Sequence, residues 1–106
     1  MAESIIRRRV EDLVKAIRAK DIDRVPSFYA PELVSFDLTP PLRYFGTDGK
    51  RHAWQEAFAA IGGPIAYEVH DLNVTTNGDL AFVHSLNHIS TPTSGSVDMW
   101  LRWTAC

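Results

Sequence analysis

The sequence predicts an α+β domain, with helices in the first half of the chain and a meander of long antiparallel strands in the second. Apolar residues recur at spacings of three and four through the first sixty positions. Beyond Gly62-Gly63-Pro64 they give way to long β-prone runs. Between two of these runs stands Asn77-Gly78, a pair that takes the positive φ angles of a two-residue hairpin loop.

The first helix is expected over residues 3–20, where Ile6, Val10, Leu13, Val14 and Ile17 form one apolar stripe with charges between them. Asp21 or Asp23 then caps a second, short helix running to about Tyr29. Pro26 falls in its first turn, where a missing N–H costs little, and Pro31 marks its exit. The stretch Leu33-Val34-Ser35-Phe36-Asp37-Leu38 reads as a short strand stopped by Pro40-Pro41, and Tyr44-Phe45 adds a few extended residues. Thr47-Asp48-Gly49 is a turn that caps a third helix at about 49–61, with Ala53, Trp54, Ala57, Phe58 and Ile61 as its apolar face. Gly62-Gly63-Pro64 closes that helix with a residue free to turn left-handed, followed by a proline. Strands are expected at 65–76, 79–90 and 97–105, with a Thr/Pro/Ser/Gly loop at 91–96.

A chain of 106 residues holds one domain, 1–106, and is too short for two. Its 45% hydrophobic and 23% charged residues are ordinary for a globular protein. A net charge of −2 gives no general attraction to nucleic acid or anionic membrane. Arg7-Arg8-Arg9 has acidic residues close by on the same helix and reads as a solvated face rather than a phosphate site. Cys106 is the single cysteine, so no disulfide forms within the chain, which fits a reducing compartment. No apolar run approaches the roughly 20 residues of a bilayer span. The N-terminus also lacks the apolar core and cleavage site of a signal peptide. The expectation is a cytoplasmic protein with no nucleic-acid or membrane partner.

Four stretches carry a family resemblance. Val14-Lys15-Ala16-Ile17-Arg18-Ala19-Lys20-Asp21-Ile22-Asp23 resembles the first-helix exit of the nuclear transport factor 2-like superfamily. Phe28-Tyr29-Ala30-Pro31-Glu32-Leu33-Val34-Ser35-Phe36-Asp37 is similar to the segment that carries the base in its ketosteroid isomerases and SnoaL-like cyclases. His84-Ser85-Leu86-Asn87 and Asp98-Met99-Trp100-Leu101-Arg102-Trp103 resemble the two long central strands of that branch. The resemblance implies a cone-shaped, curved antiparallel sheet with three helices in the N-terminal half, a cystatin-like α+β roll. Relatives usually continue with one more long strand beside the last one seen here. Either the domain is shortened, or sequence beyond Cys106 supplies the strand, or a partner chain fills the gap. An unpaired edge is an association site, so a homodimer through the sheet face or that edge is expected.

Asp37 falls where the resemblance places the general base. An apolar pocket raises a carboxylate's pKa by desolvation, which is what proton transfer near neutral pH requires. The alternative role for Asp37 is to cap the turn before Pro40-Pro41. Tyr29, Phe36, Trp54 and Phe58 are the candidate apolar walls for a substrate. The remaining isomerase machinery does not carry over. Leu13 and Met99 stand where a tyrosine and a protonated acid would stabilise an enolate, and neither can donate a hydrogen bond. Met99 is left as a pocket residue. Asp98 serves in the pocket if its strand is bulged; under strict alternation it lies outside with Trp100 and Arg102. His84 and His88 share a strand face about 13 Å apart, too far to chelate one metal. His84 is either an acid–base group or an ordinary sheet histidine. Asn87, on the opposite face, is a candidate amide donor. No metal or cofactor is expected, and no phosphate loop or nucleophile elbow is present.

Two functions follow as expectations. One is a cofactor-independent, isomerase- or cyclase-like enzyme that moves a proton through Asp37 on a small hydrophobic carbonyl compound. A related epoxide hydrolase reading would use Asp37, Asp98 and Arg102. The other is a non-catalytic domain for small-molecule binding or dimeric assembly.

Overall fold

In the computed structural model, which describes residues 2–106, helix α1 spans Ala2–Arg18. Its stripe is buried as Val10, Leu13, Val14, Ala16 and Ile17 and lies against the long strand β3, Ala66–Asn77. The helix ends where Lys20 turns left-handed at φ 53°, with Lys20 N–H donating to Ile17 O and Asp21 N–H to Ala16 O, both at 3.0 Å. This is a Schellman-type close with lysine in the place glycine usually takes.

The expected second α-helix is a four-residue 3₁₀ turn, Val25–Phe28. Asp21 takes up the local backbone donors instead, its side chain accepting from Arg24 N–H and its carbonyl from Val25 N–H. Pro26 has no N–H with which to continue an α ladder. The described chain therefore has two α-helices and this turn, in place of three helices.

Strands β1 (Val34–Phe36) and β2 (Arg43–Phe45) pair antiparallel, Ser35 opposite Tyr44. Helix α2 follows at once, Gly46–Ala60, three residues ahead of the expected start. Gly46 makes that junction possible. Its φ is +76°, its N–H donates to Leu33 O at 2.6 Å, and a Cβ there would stand 3.1 Å from Pro31 O.

β3 pairs with β4 (Leu80–Ser90), and β4 with β5 (Asp98–Ala105), all antiparallel. The hairpin loop is Gly78-Asp79, one residue later than Asn77-Gly78, because Asn77 still pairs with Leu80 and Gly78 supplies the positive φ. A bulge breaks the β3–β4 register between His70 and Asn73, where Asp71 has φ 55°. The described strands form a two-stranded sheet, β1–β2, and a three-stranded sheet, β3–β4–β5, with β5 at an edge of the larger one.

Burial alternates along β4 as a half-buried strand requires. Val83, Ser85, Asn87 and Ile89 face in, while Phe82, His84 and Leu86 face out. On β5, Leu101 and Trp103 face in and Asp98, Trp100 and Arg102 out, as strict alternation predicts. The core joins Leu13, Val14 and Ile17 to Val25, Ile65, Tyr67 and Ile89. Among the described residues, no helix is long and apolar enough to cross a membrane.

Candidate functional site

Two polar side chains face inward from the middle of β4, into a core that is otherwise apolar. Ser85 Oγ donates to Asn87 Oδ1 at 2.7 Å, and Asn87 Nδ2 donates to the Tyr67 hydroxyl at 2.8 Å. Asn87 is 2% and Tyr67 7% exposed, so each bond replaces a contact with water that is no longer available. Burial pushes the Tyr67 phenol above its ordinary range, with the Asn87 bond working against it.

Tyr29 continues this polar line toward the surface. It follows the 3₁₀ turn and packs on the core cluster that contains Tyr67. Its hydroxyl accepts a long hydrogen bond, 3.4 Å, from Trp54 Nε1, and Trp54 in turn lies 5.4 Å from the Phe58 ring. Desolvation pushes Tyr29 up to about 12, so the phenol keeps its proton well into the alkaline range. Trp54 and Phe58 share a face of α2 because they are four residues apart, and Lys50 lies one turn earlier on the same face.

Lys50 Nζ donates to Ser35 Oγ at 2.9 Å and stands 5.4 Å from the Tyr29 ring centroid and 5.8 Å from that of Trp54. Burial lowers its basicity, and the negative charge of Asp37 opposes that shift. Ser35 and Asp37 are two residues apart in extended chain and so point to one side. The Asp37 carboxylate lies near enough to Lys50 for its charge to act on the ammonium. Asp37 itself is exposed, with Oδ1 accepting from Leu38 N–H at 2.7 Å and its N–H donating to Leu42 O at 2.8 Å.

Several expected pocket residues lie elsewhere. Phe36 is 79% exposed, because the alternation that turns Ser35 toward Lys50 turns Phe36 away; it is not a wall residue. His84 is exposed on the outer sheet face beside Phe82 and belongs to no interior site. Asp98 is also outside, since no bulge interrupts β5 to rotate it inward. Met99 shares the inward parity of Leu101 but sits near the strand's start and is 44% exposed. Tyr29, Trp54 and Phe58 pack against the core cluster from the 3₁₀ turn and α2, whereas Asn87, the expected amide donor, is buried with its amide bonded to Ser85 and Tyr67. The four-residue spacing of Lys50 and Trp54 points to Lys50 and the Ser85-x-Asn87 alternation to Ser85, while Ser35 and Tyr67 join the site through contacts between distant segments.

The outer face holds a second polar cluster. Glu68 Oε1 lies 3.2 Å from His70 Nε2 and 3.3 Å from His88 Nδ1, and His88 Nε2 lies 2.7 Å from Asp98 Oδ1. The His88 ring stacks on Trp100 at 4.6 Å and 11°. The bond to Asp98, then that to Glu68, raises the pKa of His88; bonds from His70 and then His88 lower that of Glu68. Among the described residues, no three His, Cys, Asp or Glu side chains are grouped to hold a metal. Two open clefts lie on other walls. One, of about 250 Å³, runs between α1 and β3 beside Val10, Val14 and Val69. The other, of about 400 Å³, is lined by Asp71, His84, Leu86 and Arg102.

The sequence profile of the SnoaL-like domain matches residues 6–105. Among solved structures, the chain is similar to an NTF2-like protein of unknown function from Pseudomonas putida KT2440. The two share 32% identity at a TM-score of 0.89, over 97% of this chain and 72% of that one. It is similar in fold to a ketosteroid isomerase-like protein from Erwinia carotovora atroseptica SCRI1043, at 23% identity and a TM-score of 0.69, covering 95% and 77% of the two chains. The fold is also that of an LEH-like epoxide hydrolase from M. tuberculosis, at 17% identity and a TM-score of 0.59, covering 92% and 68%. No curated protein matches the chain.

Proposed function

The chain belongs to the SnoaL-like domain family of the nuclear transport factor 2-like superfamily, and on that footing we propose that it is an enzyme that moves a proton on a small hydrophobic carbonyl compound. The observation that carries this reading is the convergence at one rim of Asp37, the Ser35–Lys50 pair and the aromatic faces of Tyr29 and Trp54. A proton-transfer site needs a carboxylate that reaches the carbon acid and a surface that holds the substrate's apolar part. Asp37 takes the proton α to the carbonyl and returns it, while Tyr29, Trp54 and Phe58 hold the ring or chain. A substrate seated on that wall sets its carbon acid against the Asp37 carboxylate.

The test is deuterium uptake at the α-carbon of small aryl ketones such as 2-tetralone, followed by proton NMR in D₂O. Asp37→Asn is expected to slow the catalysed exchange roughly 10²- to 10⁴-fold, the usual worth of a positioned base. Exchange at the wild-type rate in that variant would remove Asp37 from the mechanism.

We also propose that the domain, 1–106, works as a homodimer joined through the outer sheet face. Trp100 is 56% exposed there, with Leu86 two residues along β4 from its partner His88 and exposed Phe82 farther along the same strand. Glu68 and Asp98 lie toward one end of the face and Arg102 toward the other, so a copy turned by a two-fold axis sets acids against Arg102. Light scattering should give a dimer mass that falls to the monomer in Trp100→Glu; a monomeric wild-type protein would end this reading.

A further inference from the structure

Drawing a proton from a carbon α to a carbonyl puts negative charge on the oxygen, and that charge needs a partner. Neither Leu13 nor Met99 can serve. Leu13 is core, and Met99 lies near the start of an edge strand. The structure offers a cation in a different place.

We propose that Lys50, seconded by the Tyr29 hydroxyl, binds an ionised ligand oxygen, and that the site therefore selects flat aromatic or enolic compounds whose oxygen carries negative charge. This deepens the proton-transfer reading and takes from it the ligand-binding wall, but it does not depend on Asp37 acting as a base.

Three observations support it. An ammonium has three donors, and Ser35 Oγ takes one of them at 2.9 Å, which fixes the position of Nζ. Nζ also stands within reach of two aromatic faces, at 5.4 and 5.8 Å, so the cation is part of the surface on which a flat ligand would stack. Trp54 Nε1 donates to the Tyr29 oxygen, so the bond between them does not use the Tyr29 O–H, which is left to donate to a ligand.

The surroundings strengthen such a contact. Lys50 is partly withdrawn from water, unlike the exposed Lys15 of α1, so an anion beside it is less screened. Burial disfavours its charged form, and a bound anion restores what desolvation removes. Tyr29 is a neutral phenol near neutral pH and does not repel the anion. The other charge within range is Asp37, whose carboxylate competes with the ligand for the same ammonium.

The probe is 4-nitrophenol, whose neutral and ionised forms coexist near neutral pH and absorb at different wavelengths. Wild-type protein at a fixed pH is expected to bind the ionised form in preference, read as a gain in its absorbance. Lys50→Met should cut affinity for the ionised form at least tenfold and leave the neutral form's affinity within twofold, whereas Lys50→Arg should keep the preference. Asp37→Asn should bind the ionised form at least as tightly as wild type. That separates this site from the base: Asp37→Asn can lose deuterium exchange and keep nitrophenolate. Circular dichroism melting of each variant checks that it is folded; if Lys50→Met is not, Lys50→Gln takes its place. An unchanged preference in the folded Lys50 variant, or wild-type protein that takes up neither form, overturns the proposal.

Discussion

The interior wall and the outer sheet face are built from similar residue types, yet their ionisable groups move for different reasons. On the inside, burial is the first cause: it raises Tyr29 and Tyr67 and lowers Lys50, in each case toward the neutral form. Outside, hydrogen bonds between opposite partners are the first cause. They raise His88 and lower Glu68, both toward the charged form. A strand's two faces, one residue apart in sequence, are thus two electrostatic environments. Inside, a polar group must be satisfied or it destabilises the fold; outside, water covers for a missing partner.

The largest effect expected from this contrast is at Asn87. Replacing it with alanine takes the acceptor from Ser85 and the donor from Tyr67 where little water can reach them. Two polar groups left unpaired, with a small cavity, should cost about 2–4 kcal/mol. The fall is read from the urea midpoint at unchanged m-value. The comparison sharpens in the triple replacement Ser85→Ala, Asn87→Leu, Tyr67→Phe, which removes every partner together. It should recover most of that loss, because an apolar set of similar volume leaves nothing unpaired.

A smaller effect is expected at Tyr29. Its folded pKa of about 12 stands above the ordinary tyrosine value of 10.0. The stabilisation tied to its neutral form is therefore complete below pH 10 and is lost as pH rises through about 12. Alkaline unfolding should sharpen over that window, on the order of 2 kcal/mol for a shift of this size. Ultraviolet titration should show two tyrosines, Tyr29 and Tyr67, ionising late as the fold is lost, and only one such component in Tyr29→Phe. A Tyr29 that ionised near 10 in the folded protein would place it in water and break the inside–outside contrast.

Much of this was legible in the chain. The three-and-four spacing from Ile6 to Ile17 gave α1, and the alternation along 80–90 and 98–105 gave the facing of Asn87, Trp100 and Arg102. What escaped depended on contacts between distant segments. Asp21 bonds the backbone ahead of Pro26, so a stretch with helical punctuation closes as a single 3₁₀ turn. The aromatic ring of Phe36 suggests a wall residue, but Ser35 meets Lys50, which leaves the neighbouring ring outside. Lys50 was overlooked because a lysine in a helix usually reaches into solvent. Only the approach of β1 to α2 shows that this one lies over two rings.

The smallest effect is the one that isolates the outer face. His88 bridges Glu68 and Asp98 from an exposed strand, and its raised pKa has a simple linkage. The contribution of the protonated ring is fully present below the ordinary histidine value of 6.5 and fades as pH rises through the raised folded value. Glu68, lowered from 4.5, works in the opposite direction, and its contribution fades as pH falls through its folded value. The cluster is therefore strongest between those two limits. Asp98→Asn removes the shorter of the two His88 contacts, at 2.7 Å against 3.3 Å. The His88 pKa read by NMR should drop toward 6.5, while the urea midpoint stays where it was, because water replaces the lost carboxylate. If the midpoint fell as it is expected to for Asn87→Ala, the outer cluster would be a structural network like the inner one. The distinction between the two faces of β4 would then have to be abandoned.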